Sequence, residues 1–191
     1  MTTPQAEPLL QAYAQGQRAF HGRNMSDIEL PGADLSGADF TGAVAERADF
    51  TNANLAQAIF KEADLEGADL AGANLSDADF TSANLTKATF SGANLTGAIL
   101  REATLAGADL AGAQLENADL TLTILEGTDL DRADLRDASL RAADLSDATL
   151  QGADLADANL ADATRAPDDL AQAFGIDENV RDTNAQPGGP A

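Results

Sequence analysis

The 191-residue chain carries 32 acidic side chains against 11 basic ones, a formal net charge of −21 at pH 7, and no cysteine. That balance argues against direct binding to DNA or RNA, because neutralising phosphates requires a surplus of Lys and Arg; without cysteine there is no disulfide framework and no thiolate metal site. Hydrophobic residues make up 44% of the chain but aromatics only 4%, so alanine supplies much of the apolar content, and such a core holds only where backbones approach closely.

The first residues, Met1-Thr-Thr-Pro-Gln-Ala-Glu7, have neither the basic start nor the apolar core of a signal peptide. No apolar run approaches the ~18 residues of a membrane span. The expectation is a cytoplasmic protein with no membrane partner. Within residues 1–17, Pro8 to Gln15 reads as a short capping helix, with Pro8 in the permitted first turn and Gly16 as its stop. Leu9, Leu10 and Tyr13 would rest on whatever follows.

From 18 to 164 the period is five. Leu35, Phe40, Ala45, Phe50, Leu55 and Phe60 open a series of central residues that runs to Leu160, each preceded two positions earlier by a small residue, usually Ala. Of 26 consecutive windows between residues 33 and 160, 23 have Ala first and Leu or Phe third, commonly with Asp or Asn between. Five residues advance an α-helix by about 500°, and an isolated strand would send successive Leu residues to opposite faces. The consistent solution is a coil that turns a corner every five residues and keeps both the Leu/Phe and the Ala inward. Gly, Ser, Thr, Asp and Asn at the other positions suit turns.

This uninterrupted A-(D/N)-L-x-x run resembles the pentapeptide-repeat family, and the resemblance covers residues 18–164. It implies an all-β solenoid, a right-handed quadrilateral β-helix with four pentapeptides per coil, here about seven coils. Two 20-residue spacings agree with four sides. Phe20, Phe40, Phe60 and Phe80 would stack as one inward ladder, and Asp34, Asn54, Asn74, Asn94, Gln114, Asp134 and Asp154 would form one outward column with amides at its centre. Three residues depart from the pattern: Ala45 removes a large inward side chain beside Val44, while Thr123 and Thr128 put hydroxyls inward, where they need backbone acceptors and could mark a bulge.

After Arg165 the register fails. Pro167 to Gly175 reads as a second capping helix within residues 165–180, with Leu170, Phe174 and Ile176 over the last coil, and 181–191 reads as a disordered polar tail. The family's resemblance implies a monomer or an end-to-end homodimer through this C-terminal cap.

For chemistry the pattern offers little. His21 is the single histidine, no Gly-x-Ser-x-Gly occurs, and the many paired carboxylates recur by periodicity on a solvated surface. The reading is no enzyme, no cofactor and no metal. Function then rests on the outer surface. Asp49, Asp69, Asp109 and Asp129 share one column, interrupted by Thr89 and Thr149, and are the candidate partner-binding acids. A 40-residue pattern runs beside it: Ile59-Phe60-Lys61-Glu62 recurs as Ile99-Leu100-Arg101-Glu102 and partly as Ser139-Leu140-Arg141-Ala142, with Asp79 and Asp119 in the two intervals, so that Lys61 and Arg101 would flank Asp79. Ile59, Ile99, Leu122 and Ile124 are apolar where polar residues dominate. The leading expectation is a structural or protein-interaction rod with an acidic surface and an unknown protein partner. The alternative, implied by the resemblance, is a DNA-mimicking regulator of a type II topoisomerase such as gyrase, since some members protect that enzyme from quinolones.

Overall fold

A computed structural model describes residues 6–164 together with Ala173 and Gly175. The chain opens with one helix, α1, Ala6–Ala14. It begins two residues before the expected Pro8, which sits in the first turn, where its missing N–H costs nothing. Gly16, at φ 92°, ends it: its amide donates to Tyr13 O (2.9 Å) and the Gln17 amide donates to Ala12 O (3.0 Å). This is the paired-bond cap that a left-handed glycine allows. Ala6 and Leu9 are buried against the first coil, and the Tyr13 hydroxyl donates to Ser36 O at 2.8 Å.

Parallel bridges then join every residue of one column to the residue 20 positions on, from Ala19↔Asp39 to Asp144↔Thr164, without a break. Four turns per 20 residues give four sides, as the phenylalanine and amide spacings predict. The reason for the period appears when each backbone N–H of residues 38–42 is traced. Ala38 N closes the turn on Leu35 O (3.1 Å), Asp39 N donates down to Arg18 O (2.8 Å), and Phe40 N and Gly42 N donate up to Ile59 O (2.7 Å) and Lys61 O (2.8 Å). The fifth, Thr41 N, has no backbone acceptor and donates to Asp39 Oδ1 (3.0 Å). The Asp/Asn of the repeat is therefore the side chain that completes the backbone's hydrogen bonding.

The same geometry fixes the fifth position. All 29 turn residues from Gly22 to Asp162 have positive φ, and Gly, Asp or Asn fill 20 of them. Those are the residues that reach the left-handed region at least cost. Where glycine stands, room matters too: a Cβ on Gly72 would come 2.6 Å from Asn52 Oδ1.

Inside, the four Phe rings stack as expected: Phe20 on Phe40 at 5.5 Å, Phe40 on Phe60 at 5.0 Å, Phe60 on Phe80 at 5.1 Å and 4°. Phe50 and Phe90, from the opposite side, meet Phe60 and Phe80 edge-on at 6.2 and 6.1 Å. Alanine at the inward position lets opposite walls come this close. Thr123 and Thr128 are fully buried, and their hydroxyls donate to Leu120 O (2.7 Å) and Leu105 O (2.8 Å). Neither marks a bulge, because the ladder continues through Thr104↔Ile124 and Asp109↔Asp129. Ala45 is buried and keeps register through its amide bond to Asp64 O (2.6 Å). Ala173 is buried with the core, and Gly175 lies so close to the last coil that a Cβ would meet Ala156 N at 2.5 Å. The predicted C-terminal helix, with Leu170, Phe174 and Ile176, and the tail 181–191 lie outside the described residues.

Candidate interaction surface

Among the described residues the interior holds only apolar side chains and the two satisfied threonines, so the outward positions carry whatever chemistry the rod has. Each side presents one column, and the columns differ in how they treat charge.

On the phenylalanine side the outward column reads Ala19, Asp39, Ile59, Asp79, Ile99, Asp119, Ser139 and Asn159. Acids stand on alternate coils, about 9.6 Å apart at the usual strand spacing, just beyond the ~8 Å screening length. Each also has a basic side chain from the coil before: His21 Nε2 lies 2.7 Å from Asp39 Oδ2, Lys61 Nζ 3.0 Å from Asp79 Oδ2, and an Arg101 guanidinium nitrogen 3.6 Å from Asp119 Oδ2. The sequence pattern alone places Arg101 beside Asp79; it reaches forward to Asp119 instead. The 40-residue pattern is thus a two-coil unit in which a base on one coil neutralises the acid on the next.

Asp79 shows what this does to titration. Burial, the largest single influence, pushes its carboxyl up, but the Thr81 hydroxyl and amide and the Lys61 ammonium together hold it below the usual carboxylate range. Asp39 behaves likewise with Thr41 and His21. A carboxyl depressed in the folded chain stabilises the fold above its unfolded pKa and loses that contribution as pH falls through its folded value. Asp79→Asn keeps the turn acceptor but loses the charge. It is expected to cost about 1 kcal/mol at neutral pH and to flatten the acid limb of the stability profile. Thermal melts from about pH 6 down to about pH 2 check this, and a limb as steep in the variant as in the wild type would remove Asp79 from the explanation.

The opposite side is built otherwise. Its column reads Glu29, Asp49, Asp69, Thr89, Asp109, Asp129 and Thr149, so the four predicted acids do share it, and Glu29, which sequence reasoning missed, precedes them. Acids here stand on successive coils, and among the described residues no cation lies within ion-pair distance of Asp49, Asp69, Asp109 or Asp129. All four are half-buried, and each gives one oxygen to its own turn, accepting from Thr51 N, Ala71 N, Ala111 N and Asp131 N at 2.9–3.0 Å. The corner that follows is small and uncharged for five coils, from Pro31-Gly32 to Ala111-Gly112. At Asp131-Arg132 it borders an open hollow of about 400 Å³ lined also by Asp129 and Gln151. Its carboxylates are engaged, Asp131 with Gln151 N (3.0 Å) and Asp129 with the Thr149 hydroxyl (3.1 Å).

The amide side carries the predicted ladder. Asn54 Nδ2 donates to Asp34 Oδ1 (2.9 Å), Asn74 Nδ2 to Asn54 Oδ1 (3.0 Å), and Asn94 Nδ2 to Asn74 Oδ1 (3.3 Å). Near its far end Arg136 bridges Glu116 and Asp134. Among the described residues no cluster of His, Asp or Glu is arranged to hold a metal ion, and no helix is long and apolar enough to cross a membrane.

No curated protein matches the chain. Among solved structures, it is 30% identical to HetL, a pentapeptide repeat protein involved in heterocyst differentiation regulation from the cyanobacterium Nostoc sp. strain PCC 7120, over 92% of this chain and 99% of that one, with a TM-score of 0.38. A pentapeptide repeat protein from the Arabidopsis thaliana thylakoid lumen is 34% identical over 63% and 70%, with a TM-score of 0.38. QnrB1, a plasmid-mediated fluoroquinolone resistance protein, is 22% identical in one trypsin-treated variant form, over 78% and 82%, and its TM-score of 0.52 speaks for a shared fold. Family models described as pentapeptide repeats, in 9 and 8 copies, match residues 26–69 and then 58–97, 98–137 and 138–164. With the five-residue period, the 20-residue ladder and these matches in agreement, the chain belongs to the pentapeptide-repeat family.

Proposed function

We propose that this chain is a non-catalytic protein-binding rod whose acidic side engages a basic surface on its partner. The supporting observation is the contrast between opposite sides. On one, each acid of the column is spaced by a coil and matched with a base; on the other, among the described residues, Asp49, Asp69, Asp109 and Asp129 have no cation within ion-pair distance. Folding alone does not require that contrast, since Asn fills the same turn-accepting role on the amide side. Unneutralised charge on a rigid backbone costs a little self-repulsion and favours encounter with a complementary surface. The test is capture of partners from the source cells by the wild type and by the variant with all four changed to Asn, at low and high salt. Capture by the wild type should weaken in the variant and with rising salt; equal capture by both would remove this column as the contact.

A second reading has its own observation. Residues 19–164 carry 26 acidic and 8 basic side chains, a net −18, over about seven coils, or roughly 34 Å at the usual strand spacing. Duplex DNA of that length carries about 20 charges. That match supports mimicry of a DNA segment before a type II topoisomerase. Gyrase supercoiling with and without the rod tests it, and an enzyme indifferent to the wild type at low salt would end this reading.

A further inference from the structure

Three large hydrophobic side chains are exposed among the described residues, Ile99 (36%), Leu122 (51%) and Ile124 (43%), and they fall on two successive coils. Leu122 and Ile124 flank one corner, where Thr121-Leu122-Thr123-Ile124 breaks the repeat at three positions running. Leu122 occupies a turn position at φ 62°, the one long aliphatic side chain among the 29 such residues. A left-handed Leu costs about 1 kcal/mol, and here half of its surface stays exposed. Thr123 puts a hydroxyl where Ala is the rule, and that hydroxyl has to be satisfied by Leu120 O. Ile124 stands where Asp or Asn would accept the Glu126 amide, and it has no acceptor to offer. Local rules broken together without a gain in folding mark a surface kept for another purpose.

We propose that Leu122 and Ile124 anchor a docking surface for a short segment of another protein, one that carries an aliphatic side chain beside a Lys or Arg. The chemistry follows from the neighbours. Glu102 holds the same turn position one coil below Leu122, Asp144 is the ladder neighbour above Ile124, and Glu126 follows two residues on. Arg101 is engaged with Asp119, which leaves Arg141, whose carbonyl accepts the Leu122 amide, as the nearby cation. The surround is therefore acidic, and an apolar anchor flanked by positive charge complements it. Three exposed side chains fall well short of the ~800 Å² per partner that a stable second copy would bury, so the occupant is a short segment.

This rests on the protein-binding reading but uses a different part of the rod, the corner between the phenylalanine side and the side of Asn24 and Val44. A random displayed library of about twelve-residue peptides is selected on the full chain and counter-selected on Leu122→Asn/Ile124→Thr. Both replacements are native to equivalent places, Asn52 and Thr104, and the variant is expected to melt no lower than the wild type. Enriched peptides should pair an aliphatic residue with a nearby Lys or Arg. Their affinity should fall roughly ten-fold or more in the double variant, yet persist in the four-site Asn variant of the acidic side. The proposal is overturned by no enrichment, by peptides lacking that pairing, by equal binding to the double variant, or by wild-type self-association that the double variant loses, which would make a second copy the occupant. Persistence of peptide binding after loss of partner capture by the four-site variant would separate this site from the acidic side.

Discussion

Phe60→Ala is expected to lower stability by about 4–5 kcal/mol, near the top of the range for aromatic truncations. Phe60 is fully buried, stacks on Phe40 and Phe80 and receives Phe50 edge-on. The walls around it cannot move in to fill the void, because Phe60 N and the Ile59 amide are tied to the coils above and below at 2.7 and 2.9 Å. Both the transfer loss and the cavity therefore stay in the balance. Phe60→Leu should cost only about 1 kcal/mol, since Leu100, Leu120 and Leu140 already occupy that column in later coils. Glu126→Ala, at an exposed corner, should change little. Denaturant melts of the three variants check the ranking; an alanine variant no weaker than the leucine one would mean that the bore had collapsed around the gap.

Asn74→Pro should be worse for cooperativity than for any single contact. Proline removes the Asn74 amide that donates to Ala53 O (2.9 Å), and with the side chain go the bonds to Asn54, from Asn94 and from Ser76 N. About 3 kcal/mol or more is expected from the ladder position alone. Because each coil touches only its neighbours, stability is close to a sum of coils and the contacts between them. A break at the third coil should therefore split one unfolding transition into two, the shorter N-terminal piece melting first. Asn74→Thr, which copies Thr89 and Thr104, should cost about 1 kcal/mol and keep a single transition. Hydrogen exchange along the chain reads this directly: protection lost evenly on both sides of residue 74 would contradict the coil-by-coil account.

The inward half of this architecture is legible in the sequence because it depends on burial, and burial leaves a period. Leu, Phe and Ala recur every five residues, and 20-residue spacing alone groups Phe20 with Phe80 and Asn54 with Asn94. The outward half is less legible because it depends on direction. Asp64 reads as a dispensable surface acid, yet it accepts the Glu66 amide at 3.2 Å and the Asn84 side chain at 2.9 Å. Nothing in the spacing of Lys61, Asp79 and Arg101 says which coil an arginine reaches toward. Nor does the period announce that Leu122 lies in a left-handed turn. The signal is present all the same: Gly, Asp and Asn crowd that position, and a residue type out of place among them is where strain sits.

The hydrogen bonds between coils run along the rod, not across it, and that decides how it answers force. Pulled by its two ends, the rod loads its ladder as a zip is loaded, a few bonds at a time at the outermost coil, and never as a whole sheet in shear. Each coil that yields replaces roughly 4.8 Å of axis with some 70 Å of extended chain. The molecule is stiff against bending and crushing, because Phe and Leu fill its bore, but it lengthens readily under tension from its ends.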